Sequence, residues 1–369
     1  MDWQHLRIAM VCPYSWDRPG GVKNQVKGLA EGLIRQGHEV VVVSPASSPP
    51  KEPWVLPVGR ATPLPANGSI APVALRPRAA LLTAKVLHEH TFDIVHLHEP
   101  LAPGPNQVFL LTSKVPIIGT YHRAGASIPY RLYGRLLSPL LWRMKRSVAV
   151  SEAAKATALA VLGRTAGNVS VLWNGIDLDE IDRADPWPVD GPTVIFVGRH
   201  EIRKGLQVLL NAFKQLPSHV NLWVVGDGPL SEQAKRTTTS MDNVSFLGVL
   251  DQHELASRLK AAHILCAPSL AGESFGMVLL EGMASRCVVV ASDISGYREV
   301  LDGYGVLVPP GDPSELAAAI ANAIDDWEYS RGMAAPYKLE EAHSYAASFS
   351  FTKLSERYVQ QYRSMLQQV

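Results

Sequence analysis

Residues 193–216 read TVIFVGRHEIRKGLQVLLNAFKQL. The first five are β-branched or apolar without interruption, the pattern of a short parallel strand covered on both faces. From Leu206 the apolar residues recur at helical spacing. Arg199, Arg203 and Lys204 lie between the two, so three cations follow the carboxyl end of a strand, the end at which open α/β sheets bind ligands. The same alternation continues downstream in NLWVVGDG, NVSFLGV, HILCAPS and CVVVAS, and it precedes this stretch in LRIAMVC, EVVVVSP, FDIVHLHEP, VPIIGTYH and SVAVSE. The fold class is therefore α/β, with two Rossmann-like layers of parallel sheet. Their ligand cleft is expected at the carboxyl ends of both sheets. DRADPWPVDGP, between the two series, reads as a linker, and the proline-rich region 44–77 reads as loop with one or two short strands.

Composition narrows the classes. The chain has 369 residues, 47% hydrophobic, with Lys+Arg 35 against Asp+Glu 34 and a net charge of +1. That excludes a disordered chain and a globally basic nucleic-acid binder, so any anion site must be local. Cys12, Cys266 and Cys287 each sit in an apolar run without CxxC spacing, which argues against a disulfide or zinc framework and fits a reducing cytoplasm. The beginning of the chain lacks the build of a secretory signal, and no stretch approaches the ~20 apolar residues that span a bilayer.

Four motifs could carry chemistry. Gly20 and Gly21 precede a helix start after the first strand, where backbone can approach an anion. Arg199, Arg203 and Lys204 could neutralise a diphosphate without a metal. GESFGMVLLEGM carries Glu273 and Glu281. If a helix begins near Phe275, Glu281 lies more than a turn inside it, and even a fully helical path would place the backbones of the two carboxylates ~12 Å apart, too far for an acid/base pair on one bond. They should touch different parts of one extended ligand, with the N–H groups around Phe275, Gly276 and Met277 facing an anion between. His96 and His98 lie on one strand and read as hydrogen-bonded structural groups, whereas His122, beyond a strand end, is the functional candidate. Asp177 and Asp179 mimic a metal-binding D-x-D but read as turn and capping residues.

Together these residues resemble a retaining glycosyltransferase of family 4 with the GT-B architecture, from RIAMVCPYSWDRPGGV to REVLDGYGVLVPPGD. The most specific element is E-x7-E, Glu273 and Glu281, supported by GRHEIRKG, GDGPL, FLGVLD and VVVASD. Within the family the chain most resembles the actinobacterial phosphatidyl-myo-inositol mannosyltransferases, through PANGSIA, HLHEPLAP, NGID and APSLAGESFGMVLLEGMAS. The resemblance implies an N-terminal acceptor-side domain over 1–172 and a C-terminal nucleotide-sugar domain over 173–349. The final helix, within 350–369, would cross back to the first domain. It implies GDP-mannose as donor substrate, an inositol phospholipid as acceptor, no tightly bound cofactor, and magnesium as an option that the motif does not require.

By the same resemblance Gly20, Gly21, Arg199 and Lys204 hold the diphosphate. Glu273, Phe275, Gly276 and Met277 meet the sugar and its phosphate, Glu281 meets the ribose, and Leu250 and Gln252 lie near the base. His122 sits beside the transferred sugar, so His122, Glu273, Arg199 and Lys204 are the catalytic set. Asn67, Ser69 and Arg203 match acceptor positions. The chain departs from the pattern at Ala66, Pro72, Ser127, Tyr130, Gln252 and Arg286, and Lys85 alone remains of a basic cluster.

A nucleotide sugar and an anionic phospholipid on the inner membrane surface are the expected partners, with no nucleic acid. YRLYGRLLSPLLWRMKRS, which interleaves Arg131, Arg135, Arg143, Lys145 and Arg146 with leucines and aromatics, could lie on that surface. The alternative is a family 4 enzyme with another nucleotide-sugar donor or a soluble acceptor. The missing G-x-G-x-x-G spacing disfavours an NAD-dependent oxidoreductase. A non-catalytic sugar-nucleotide binder would have little use for the whole charged constellation.

Overall fold

The structure is a computed structural model that describes residues 5–18, 20–66, 69–125, 127–329 and 338–367. It divides into two compact units, Met1–Gly175 with Phe351–Val369, and Ile176–Ser350.

The first unit is built on β1 (Arg7–Val11), β2 (Glu39–Ser44), β3 (Val55–Pro57), β4 (Thr62–Ala66), β5 (Ser69–Val73), β6 (Ile94–His98), β7 (Ile117–Tyr121), β8 (Met144–Ala149) and β9 (Val169–Val171). Seven of these form one parallel sheet in the order β3-β2-β1-β6-β7-β8-β9. β4 and β5 form a separate antiparallel hairpin, so the proline-rich region holds three short strands. Sequence order reverses at β1, which pairs with β2 on one side and β6 on the other. Ligands bind doubly wound sheets beyond the carboxyl end of such a strand.

Apolar residues cover both faces of this sheet, as its unbroken hydrophobic strands require. On one face lie the first helix, Gly21–Arg35, and the closing helix, Phe351–Leu366. The closing helix buries Phe351, Leu354, Tyr358, Tyr362 and Met365, one stripe at helical period. The two helices approach closely at Gly28, where a Cβ would stand 2.1 Å from the Phe351 ring.

The second unit carries β10 (Thr193–Val197), β11 (Asn221–Val225), β12 (Val244–Gly248), β13 (Ile264–Ala267), β14 (Val288–Ser292) and β15 (Val306–Val308), all parallel, in the order β12-β11-β10-β13-β14-β15. Its reversal falls at β10, whose carboxyl end leads into Arg199, Arg203 and Lys204.

Three local expectations need correction. DRADPWPVDGP is not an interdomain linker. It belongs to the second unit, where Trp187 N–H donates to the Ser257 carbonyl at 3.0 Å and the Arg258 guanidinium lies 3.8 Å from the Trp187 ring centroid. The helix after Phe275 starts later, at Met277. The basic segment is not one amphipathic helix: helix ends at Leu141, and Lys145 and Arg146 lie on β8. Arg143 donates to the carbonyls of Leu111 and Ser113 at 2.8 and 2.6 Å, and Arg146 donates to Gln361 and Ser364 of the closing helix.

Candidate active site

In the second unit, β10 gives way to a coil carrying Arg199 and Glu201, then to the 3-10 turn Ile202–Lys204. Glu201 is buried between two arginines: its carboxylate meets Arg199 Nε and Arg203 Nε, each at 3.1 Å. Arg203 Nη1 reaches Glu273 Oε1 at 3.1 Å, and Lys204 Nζ reaches the same oxygen at 2.8 Å. Ser269, just past β13, donates to Glu273 at 3.2 Å and shares a 2.8 Å hydrogen bond with the Tyr297 hydroxyl. Glu273 is thus fixed by two cations and a hydroxyl in a surround that leaves about a tenth of its side chain exposed. A carboxylate so held is preorganised, because contacts already made within the unit fix its position.

Beyond Glu273 the backbone turns through Gly276 at φ +76 into the helix Met277–Ala284. A Cβ at Gly276 would stand 2.7 Å from the Tyr297 ring, so both the turn and the contact require glycine. Gly276, the N-cap, has no side chain with which to cap this helix, and N–H groups at a helix start present partial positive charge. Phe275 is buried beside it, its ring 6.1 Å from that of Phe349. Glu281, one turn inside the helix, has no side-chain hydrogen-bond or ion-pair partner among the described residues. Burial lifts its carboxyl to about 7. Leu250 precedes the helix Gln252–Ala261, and the exposed Gln252 donates to Asp177 Oδ2 at 2.7 Å. Asp177 also caps the helix Leu178–Arg183 by accepting from Glu180 N–H at 3.1 Å, the capping role expected of it.

In the first unit, Gly20 and Gly21 stand at the start of the first helix, with Gly20 as N-cap in extended backbone. His122 follows β7 and is buried, and its Nε2 lies 3.0 Å from His98 Nδ1. His98 stacks on His96 with ring centroids 4.2 Å apart. His96 bridges the Tyr362 hydroxyl and Thr120 Oγ1, each at 2.7 Å. Burial holds His96 and His122 down to about 3, so both are neutral near pH 7 and His122 offers a neutral imidazole. His98 Nε2 has no hydrogen-bond partner among the described residues, which departs from a fully satisfied structural role.

Two carboxylates escaped the sequence reading, and Tyr130 stood there only as a departure from the family pattern. Glu201 was visible only as an acid between arginines. Glu99 directly follows β6 and adopts φ +47, its carboxylate accepting from His122 N–H at 3.0 Å and from the Tyr130 hydroxyl at 2.8 Å. Burial raises the Glu99 carboxyl above the ordinary range. Tyr130 also carries the Arg123 guanidinium 4.1 Å from its ring centroid. Of the acceptor candidates, Asn67 lies outside the described residues, Ser69 begins β5, and Arg203 joins the Glu273 cluster. The second unit therefore brings together Arg199, Arg203, Lys204 and Glu273.

Two Rossmann-like units, with a closing helix that belongs to the first, have the GT-B fold. Residues 19–180 match the family described as Glycosyltransferase Family 4, and residues 191–326 match Glycosyl transferases group 1. The chain is 38% identical over 351 residues to the phosphatidyl-myo-inositol mannosyltransferase of Mycolicibacterium smegmatis, covering 92% of this chain and 90% of that one. It is 32% identical to the enzyme of the same name from Propionibacterium freudenreichii, covering 97% and 94%. A glycosyltransferase from Rickettsia africae superposes with a TM-score of 0.77 at 19% identity, covering 99% of each chain. Sucrose-phosphate synthase from Thermosynechococcus elongatus gives 0.77 at 20% identity, covering 99% and 100%. The chain belongs to glycosyltransferase family 4 and is a hexosyltransferase.

Proposed function

We propose that this enzyme transfers mannose from GDP-mannose to the inositol of phosphatidyl-myo-inositol, with retention of the anomeric configuration. The carrying observation is the cluster in which Lys204 and Arg203 both hold Glu273 at the approach to the Met277–Ala284 helix. The acceptor rests on 38% identity over 92% of the chain to enzymes bearing that name.

Departure of the nucleoside diphosphate is the difficult step, since charge builds on the leaving phosphate as the glycosidic bond breaks. Arg199, Lys204 and the N–H groups following Gly276 would meet that charge, and stabilisation of this kind is commonly the largest catalytic term. Glu273 would orient the sugar, Glu281 the ribose, and neutral His122 the acceptor side of the sugar. The acceptor hydroxyl loses its proton to the departing phosphate, so no strongly basic side chain is required. These cations supply the charge without a metal ion, and magnesium would add to them rather than replace them. The lipid acceptor puts the enzyme at the inner face of the plasma membrane. No helix among the described residues is long and apolar enough to cross a membrane.

The test is incubation of the purified protein with GDP-mannose and phosphatidylinositol, followed by lipid mass spectrometry and NMR of the new linkage. An α-mannosyl lipid is expected. Transfer only from a UDP-sugar, or only to a soluble acceptor, would overturn the assignment while leaving the family intact.

A further inference from the structure

The helix Ile128–Leu141 carries apolar residues on both of its faces. Leu137 and Leu140 pack inward on the core of the first unit, with Tyr130 beside them. At ~100° per residue, Ile128, Arg131, Leu132, Arg135, Leu136 and Pro139 fall within an outward arc of roughly 140°. All six are exposed, Ile128 and Leu136 by 75% and 76%. A helix apolar on both faces is ordinarily covered on both, and the next residue, Trp142, is also 76% exposed.

Charge identifies the cover. From Pro100 to Ser151 the sequence holds seven lysines and arginines and no aspartate or glutamate, although the whole chain is nearly neutral. Arg131 and Arg135 sit within the apolar arc and have no ion-pair partner among the described residues. A second copy docked symmetrically on this face would set arginine against arginine. An anionic bilayer answers both features, taking the leucines into its interface and the guanidiniums at its phosphates.

We propose that the outward face of the Ile128–Leu141 helix is the surface by which this enzyme docks on anionic phospholipid. The docking rests on the lipid-acceptor reading for its purpose, but it can be measured without turnover.

The experiment is vesicle co-sedimentation of the purified full chain. Phosphatidylglycerol/phosphatidylcholine vesicles are compared with phosphatidylcholine alone, for the native protein, Ile128→Gln/Leu132→Gln/Leu136→Gln and Arg131→Gln/Arg135→Gln. Circular dichroism and thermal melting confirm that the exposed replacements leave the fold intact. Native protein should partition at least tenfold more onto the anionic vesicles, and each variant should lose tenfold or more of that binding. Mannosyl transfer to a water-soluble, short-chain phosphatidylinositol should be unchanged in all three proteins. Variants that bind anionic vesicles as the native protein does would overturn the docking face while leaving the acceptor reading intact. Native binding through this face without transfer to either lipid would overturn the acceptor reading alone. A native dimer in sedimentation equilibrium, abolished by the leucine replacements, would overturn the bilayer in favour of a second copy.

Discussion

The Tyr130 hydroxyl donates to Glu99 Oε1 at 2.8 Å, joining the first turn of an outward-facing helix to a buried carboxylate whose other oxygen holds the backbone of His122. Glu99 is only 2% exposed, so its charge depends on these donors. Tyr130→Phe removes one of them and should cost about 1–3 kcal/mol of stability. Glu99→Gln should cost less, because the charge that needs the donors goes with it. Urea unfolding of both variants checks the order, and a Tyr130→Phe protein as stable as the native one would show that the contact contributes nothing.

Lys204 contacts Glu273 at 2.8 Å, but Arg203 reaches the same oxygen and remains when Lys204 is truncated. The cluster should therefore keep its shape in Lys204→Ala while losing the cation proposed to face the leaving phosphate. Turnover should fall by about 10²–10³, the range for losing one preorganised electrostatic partner, with an unchanged circular dichroism spectrum. Steady-state assay of donor consumption decides, and native turnover would remove Lys204 from the catalytic set.

The parts of this molecule legible in the sequence are those with local causes. Uninterrupted apolar runs mark parallel strands because both sheet faces are covered, and Asp177 reads as a cap because its helix follows directly. What escaped depends on neighbours distant in the chain. Nothing around Glu99 indicates that Tyr130, 31 residues later, will donate to it. Nor does the composition of DRADPWPVDGP indicate that Trp187 will lie against Arg258 instead of spanning two domains. Arg286, unexplained as sequence, takes φ +63 at the exit of the Met277–Ala284 helix and forms a paired contact with Glu340 at 2.6 and 3.0 Å. The charged cluster was nameable in advance because strand ends in an α/β sheet converge; Glu201, its fifth member, is buried between Arg199 and Arg203 by the fold.

Gly276 tests whether the approach to that helix must be glycine. Alanine would have to adopt φ +76 and place its Cβ against the Tyr297 ring. The backbone cost alone is about 1–3 kcal/mol, and relief by shifting Tyr297 would disturb Ser269 and hence Glu273. Gly276→Ala should therefore lower the melting temperature and turnover together. Retention of full turnover despite a lower melting temperature would show that the sugar-side geometry does not depend on this turn.

Glu281 gives the pH prediction. Its carboxyl is lifted by burial to about 7, against 4.5 in an unfolded chain. Between those values the folded protein binds more protons than the unfolded one, so this group makes stability fall as pH rises through the window. The contribution is at most about 3 kcal/mol, fully absent below pH 4.5 and complete above pH 7. Glu281→Gln keeps the side-chain size and removes the titration, so its unfolding free energy should decline less between pH 5 and 8 and exceed the native value at pH 8. The native protein tolerates this cost, which is what a carboxylate kept to accept ribose hydroxyls would impose. GDP affinity of the native enzyme should accordingly rise as pH passes 7, while that of Glu281→Gln stays weak and flat. Calorimetric titration with GDP at pH 6 and 8 distinguishes the two, and equal pH dependence in both proteins would assign Glu281 no part in holding the nucleotide.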